Sequence, residues 1–109
     1  MVTYRISISE EAMAELQAIY TYLKVNESET IANKVREGLL EAIDSLASMP
    51  HRHSPVREIQ HEEIIFRRVL RWSYKIIFVI EEAEVVVRVV AVVHSKQNPT
   101  RLQDRFGEA

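Results

Sequence analysis

Seven side chains able to carry positive charge fall close together late in the chain: Arg67, Arg68, Arg71, Lys75, Arg88, His94 and Lys96. Trp72 and Tyr74 are interleaved with them. Such a set suits a phosphodiester. Arginine or lysine neutralises developing charge and an imidazole moves a proton. The same arginines would serve equally well as partners for acidic helices or for an acidic protein. No carboxylate base accompanies the set, which counts against a nuclease. Three further histidines, His51, His53 and His61, lie in one polar stretch. Their spacing fixes no ligand geometry and no carboxylate completes a metal pattern, so they read as surface-loop residues. No metal and no cofactor is expected. The chain has no cysteine, which excludes thiolate chemistry. Its only glycines are Gly38 and Gly107, too few for a phosphate-cradling loop or a nucleophile elbow.

The elements that must position these residues follow from periodicity. Val2, Tyr4, Ile6 and Ile8 alternate with polar neighbours and predict an opening strand. Ser9 offers a cap to a first helix, with Glu10 and Glu11 in its first turn. Ala12, Leu16, Ile19, Tyr20 and Leu23 give that helix one apolar stripe. Ser28 caps a second helix with the stripe Ala32, Val35, Leu39, Ala42, Ile43 and Leu46, stopped by Met49-Pro50. The two form an antiparallel hairpin. Gly38 sits inside the second helix, where close approach of the first helix would offset its cost of about 1 kcal/mol relative to alanine.

The stretch 51–63 reads as a loop with a short edge strand around Val56–Ile59. Strands follow at Ile64–Leu70, Ser73–Ile80 and Val85–Val93, with Glu81–Glu84 as a turn. In the second of these, Tyr74, Ile76, Phe78 and Ile80 face one way and Lys75, Ile77 and Val79 the other. Strict alternation in the last puts His94 on the face of Arg88 and Val92, near Lys75. Pro99 stops that strand and a short tail ends the chain. The expected class is α+β: an N-terminal strand, a helical hairpin, then antiparallel strands. The hairpin covers one sheet face, and the other is left partly open, to be covered by solvent-tolerant residues or by a partner.

At 109 residues and 47% hydrophobic composition the chain is expected to form a single domain, 1–109. The net charge of −2 is uneven: residues 1–50 carry four cationic and eight acidic side chains, residues 51–109 ten and eight. The second half is therefore the side expected to meet an anionic partner. The longest apolar runs are broken by Lys75 and Arg88, so no membrane span is expected. The opening Met1-Val2-Thr3-Tyr4-Arg5 has no secretory-signal pattern, and the cytoplasm is the expected location.

The chain resembles the RelE/ParE superfamily of bacterial toxins over nearly its whole length. The resemblance rests on the opening strand with Ser9-Glu10-Glu11-Ala12, the hairpin ending at Leu46-Ala47-Ser48-Met49-Pro50, the strand Tyr74-Lys75-Ile76-Ile77-Phe78, and the close Val92-Val93-His94-Ser95-Lys96-Gln97-Asn98-Pro99. It implies a toxin–antitoxin module in which a cognate antitoxin wraps and neutralises the toxin, as a homodimer or a toxin–antitoxin heterotetramer. It also implies one of two activities: poisoning of DNA gyrase, or cleavage of messenger RNA on the ribosome. For a nuclease the matching positions are Lys75, His94 and Lys96. RelE-like nucleases commonly add a tyrosine near the C-terminus. Here Ser95 or Leu102 stands at the candidate positions, and no tyrosine follows Tyr74. The closing segment is more similar to the ParE side, so the resemblance implies a gyrase inhibitor. The messenger RNA nuclease, or a degenerate module that only binds, is the alternative. Arg67, Arg68, Arg71 and Arg88 are the residues expected to meet the antitoxin or the target.

Overall fold

A computed structural model describes residues 2–96 and 99–107. Four strands form one sheet: β1 (Arg5–Ile8), β2 (Arg67–Arg71), β3 (Tyr74–Glu81) and β4 (Val86–His94), in the order β1-β4-β3-β2. The last three are antiparallel, as expected, while β1 runs parallel to β4 and makes the sheet mixed. Between β1 and β2 the chain forms helices α1 (Glu10–Asn26) and α2 (Glu29–Asp44). Among the described residues no helix is long and apolar enough to cross a membrane.

The helix starts are where the sequence puts them. The Ser9 hydroxyl accepts from the Ala12 N–H, and the Ser28 hydroxyl from the Ile31 N–H, both at 3.1 Å. The opening strand is shorter than expected. Tyr4 donates its N–H to Ala47 O at 2.8 Å and Thr3 bridges Ser48, so these residues pair with the end of the hairpin and regular sheet begins only at Arg5.

One core lies between the hairpin and the sheet. Leu16, Leu39, Ile43 and Leu46 pack against Ile76, Phe78, Val87, Val89 and Val92. The opposite face is not open. The segment before β2 folds across it with Val56, Ile59 and Phe66, and a third helix, α3 (Pro99–Phe106), adds Leu102. Together they cover Ile77, Ala91 and Val93. This corrects three expectations. The Val56–Ile59 segment forms no strand: Pro55 has no N–H to continue a ladder, and its single bridge to Arg67 goes no further. The strand expected at Ile64 begins at Arg67, leaving Ile64 and Ile65 exposed. The closing tail is helical, because Pro99 opens a helix as readily as it stops a strand.

Helix α3 is tied down through Arg105. Its guanidinium donates to Glu15 at 2.9 and 3.3 Å and to Val90 O at 3.2 Å, and pairs with Glu11 at 3.1 Å. Glu15 also accepts the Val92 N–H at 3.0 Å. Strand β1 is too short to cover β4 beyond Val89, and these side chains occupy the remaining sheet edge.

Gly38 is needed for a different reason from the one expected. The indole of Trp72, not helix α1, fills the space beside it: a Cβ there would sit 2.1 Å from Trp72 Cη2. Trp72 is the only tryptophan. The Gly38→Ala variant is expected to push the ring outward and red-shift the tryptophan emission, while adding helix propensity worth about 1 kcal/mol. An unchanged spectrum would contradict the contact. A second site of strain is Val85, which enters β4 at φ 54°, the left-handed region that a β-branched residue resists. That region costs an L-residue about 1–2 kcal/mol, and glycine returns part of the gain as unfolded-state entropy. Val85→Gly is therefore expected to stabilise the fold by up to about 1 kcal/mol, read from urea unfolding.

Candidate functional site

The sheet's two-residue period divides the basic residues between faces. Residues directly opposite in adjacent strands point the same way. Arg67 and Arg71 pair with Phe78 and Tyr74, which face the hairpin. Arg68 pairs with Ile77, on the outer face. Lys75 pairs with Val93, also on the outer face, whereas His94 pairs with Tyr74. Lys75 and His94 thus share an end of the sheet but lie on opposite faces. The strict alternation expected for β4 fails because Val90 is an extra residue between the pairs Ile77–Ala91 and Phe78–Val89. Arg88 and Val92, expected on one face, are separated by the same bulge.

Lys75 does not keep its ammonium in water. It is 6% exposed and its Nζ lies 3.3 Å from Glu58 Oε2, on the segment that covers the outer face. Burial works against the charge on Glu58. A backbone hydrogen bond, the Lys75 ammonium and nearby Arg68 outweigh it and hold the carboxyl below its ordinary range.

Two more of the singled-out arginines are engaged within the chain. Arg67 donates to the carbonyls of His51 and His53 at 3.2 and 2.7 Å. Arg88 donates twice to Glu81, each at 3.0 Å, and to the Ser7 hydroxyl at 3.2 Å. The hydrogen bond from Arg88 holds the Glu81 carboxyl below its ordinary range. The loop histidines are dispersed. His51 bonds Glu82, which also accepts from the Tyr4 hydroxyl at 2.9 Å. His53 stands edge-on to Phe78, and burial, with Arg52 and Arg67 nearby, pushes its imidazole below the usual value. His61 accepts the N–H groups of Glu63 and Ile64. Among the described residues no cluster of three His, Asp or Glu side chains could hold a metal.

What the sheet does assemble is a row at the β2–β3 turn. Arg71, Tyr74 and His94 are consecutive partners across three strands and point to the same side. The Tyr74 and His94 rings meet edge-on, with centroids 6.0 Å apart. The Arg71 guanidinium lies 4.8 Å over the Trp72 ring, with Glu41 at 3.9 Å. Burial, helped by nearby Tyr22 on α1, raises the Tyr74 phenol and keeps it a hydrogen-bond donor. The Nδ1 of His94 accepts the Lys96 N–H at 3.1 Å, which leaves the neutral ring's proton on Nε2. The Ser95 N–H donates to Ser73 O at 2.7 Å and binds the end of β4 to the turn. Lys96 is exposed beside it. Gln97 and Asn98 of the closing motif lie outside the described residues. Tyr74 stands in the sequence only as an aromatic interleaved with the cations, and Tyr22 is not among the candidates. A two-residue Trp72-Ser73 turn makes Arg71 and Tyr74 opposite neighbours, and that was the available signal. The row offers a cation and hydrogen-bond donors to an anion. At the other end of the sheet a cavity of about 430 Å³ is lined by Ile64, Ile65, Val79 and Ile80, with Glu63, Glu82 and Arg67 among its polar groups.

The family described as ParE toxin of type II toxin-antitoxin system, parDE, matches residues 6–99. The fold is similar to a chain of the chromosomal ParDE system of P. aeruginosa: 16% identity, TM-score 0.69, covering 86% of this chain and 98% of that one. It is similar to a chain of the RelBE2 toxin–antitoxin complex of Mycobacterium tuberculosis: 19% identity, TM-score 0.60, 86% and 93% covered. It is similar also to a chain of the archaeal RelE–RelB complex of Pyrococcus horikoshii OT3: 15% identity, TM-score 0.60, 89% and 100% covered. At these identities the likeness is one of fold. No curated protein matches the sequence.

The Lys75–Glu58 pair makes a prediction about acid. A carboxyl whose folded value is depressed contributes stability above its unfolded value and loses it as pH falls through the folded one. Glu58 is in that class. Glu58→Gln leaves the buried ammonium unmatched and is expected to cost about 2 kcal/mol at neutral pH. The loss should shrink as pH falls from about 5 to 3. Urea unfolding of both chains across that range is the measurement, and a pH-independent difference would contradict the pairing.

Proposed function

Because this chain belongs to the ParE toxin family of type II toxin–antitoxin systems, we propose that it acts as ParE-like toxins do, by inhibiting DNA gyrase, and that a cognate antitoxin neutralises it. The observation that supports this over RNA cleavage is the separation of Lys75 from His94. A nuclease of the RelE type would need a cation and a proton-transferring group on one phosphodiester. Here the lysine is buried against Glu58 on one face, and the imidazole stands on the other. A gyrase inhibitor acts through contact and needs no such pair. The RelE-like reading, cleavage of messenger RNA on the ribosome, draws its support from the Arg71, Tyr74 and His94 row, where an arginine, a phenol and an imidazole do converge.

The antitoxin would be held on the helical hairpin, where Met13, Tyr22, Val25, Ile31 and Leu40 are exposed. The outer sheet face, expected to receive it, is already filled by the chain's own residues. Arg68, at the edge strand, is available to an acidic antitoxin segment; Arg67, Arg71 and Arg88 would contribute through groups already engaged within the chain.

Expression is expected to arrest growth with loss of negative supercoiling and DNA-damage signalling while messages stay intact, and His94→Ala is expected to keep most of the toxicity. Measured together, plasmid topology and message integrity after induction decide the matter. Ribosome-dependent message cleavage that disappears in His94→Ala would replace this reading with the RelE-like one.

A further inference from the structure

We infer that the cavity at the end of the sheet remote from the β2–β3 turn receives an extended basic peptide, which adds a short strand to the free edge of β3 at Ile80 and sets a lysine or arginine against Glu63 and Glu82. The site is separate from the surface proposed for the antitoxin and from the Arg71 row, and it stands whether or not gyrase is the target.

The cross-strand register shows why this edge is open. Arg68 turns its N–H away from β3, to Ser54 O at 3.0 Å. Its neighbours in β2, Arg67 and Val69, therefore turn theirs toward β3, where they meet Phe78 and Ile76. By the same period of two, Ile80 presents its N–H and C=O on the β2 side. β2 begins at Arg67, opposite Phe78, so no β2 residue stands opposite Ile80. Ahead of Arg67 the chain turns toward the segment over the outer face, and Phe66 O accepts the Val56 N–H at 2.7 Å. The cavity is the gap that results. Val79 packs with the outer cover and Ile80 with the hairpin core, and both line the cavity, which places it at the edge between the two faces. Val79–Glu81 offers about 10 Å of unpaired edge, the span of about three extended residues. Its volume of about 430 Å³ lies within the range of about 300–1,000 Å³ common to ligand sites.

The lining selects the charge of the occupant. Ile64 and Ile65 are 39% and 59% exposed, so apolar surface flanks the edge. Glu63, Glu81 and Glu82 share the lining with a single guanidinium, that of Arg67. Glu81 is matched by Arg88, and Arg67 is taken up by two carbonyls. The Glu63 carboxylate has no partner among the described residues. Glu82 meets His51 through one oxygen and the Tyr4 hydroxyl through the other, and each oxygen keeps a lone pair. These carboxylates repel a phosphate or an acidic segment and attract an ammonium or a guanidinium. Tyr4 packs on the hairpin core, so Glu82 is held toward that side. A residue paired with Ile80 points its side chain the same way as Ile80. The basic residue therefore belongs at the centre of the added strand, with apolar neighbours against Val79.

The test titrates the intact, isotope-labelled chain with the blocked peptide Thr-Val-Lys-Val-Thr and follows the backbone amides by NMR. The expected result is a saturable shift of the Ile80 amide together with slower hydrogen exchange there. Glutamate in place of the peptide's lysine should weaken binding by about fivefold or more. Methylation of the lysine's backbone nitrogen, which removes the donor to Ile80 O, should weaken it by about tenfold. Glu63→Gln should weaken it by about threefold, with an unchanged melting temperature because Glu63 is exposed and unpaired. Absence of saturable binding, an Ile80 amide that does not respond, or equal affinity for the methylated peptide would overturn the added strand. Equal or tighter binding of the glutamate peptide, or an affinity unmoved by Glu63→Gln, would overturn the basic occupant. Lysine amide alone acting as well as the peptide would reduce the site to ion pairing and overturn it too. Plasmid topology, which reports on gyrase, is read separately from all of these.

Discussion

Strands β3 and β4 are apolar on both faces, and burying both at once is the constraint the rest of the molecule answers. Ile76, Phe78, Val87, Val89 and Val92 need one cover and Ile77, Ala91 and Val93 another. Each of these side chains except Ala91 gains about 1.5–3 kcal/mol from complete burial, so neither face can be left to water. The helical hairpin supplies the first cover. The second is improvised from an irregular segment and a helix of eight residues, neither of which would hold its shape alone. Arg105 is the tie between that helix and α1, and it spans ninety residues of sequence to reach Glu15.

Closing the second face also decides the electrostatics. A lysine near the start of an otherwise apolar strand is tolerated in a half-open sheet because its ammonium can reach solvent. Once the 54–66 segment lies over it, the ammonium must find a partner or be unfavourable. Glu58 is carried in by the same segment that does the covering. Cover and counter-ion are therefore one element, and neither can be removed without exposing the need for the other.

The hairpin, the two serine caps, the order of the late strands and the two-faced character of β3 were all legible because each is a local signal: a hydroxyl before an acidic turn, or a period of 3.6 or 2. The outer cover was not. Val56, Ile59, Phe66 and Leu102 have no common period, and their burial is set by tertiary contact across the sheet. Pro99 is ambiguous in isolation, since it ends strands and begins helices with equal ease. At the candidate site, the cations were correctly seen as numerous but not as divided. The division follows from the cross-strand register, which pairs Lys75 with Val93 and His94 with Tyr74, and the bulge at Val90, which leaves no mark in a run of valines, moves only Arg88 to the other face. Pairing the ends of a two-residue turn would have aligned Arg71 with Tyr74. The approach of Tyr22 from the first helix required the packed structure.

That bulge also determines how chains of this kind can be aligned. Val90 faces no partner residue of its own in β3, and the strand around it is nine residues long against eight in β3. A one-residue deletion at Val90 would preserve every cross-strand pair on either side of it, at the expense of the carbonyl that Arg105 reaches. The same deletion two positions later would move part of the apolar set to the wrong face. A homologue with a shorter final strand should therefore be given its gap at this valine, because a gap placed elsewhere would equate an imidazole facing the hairpin with a side chain facing the opposite cover.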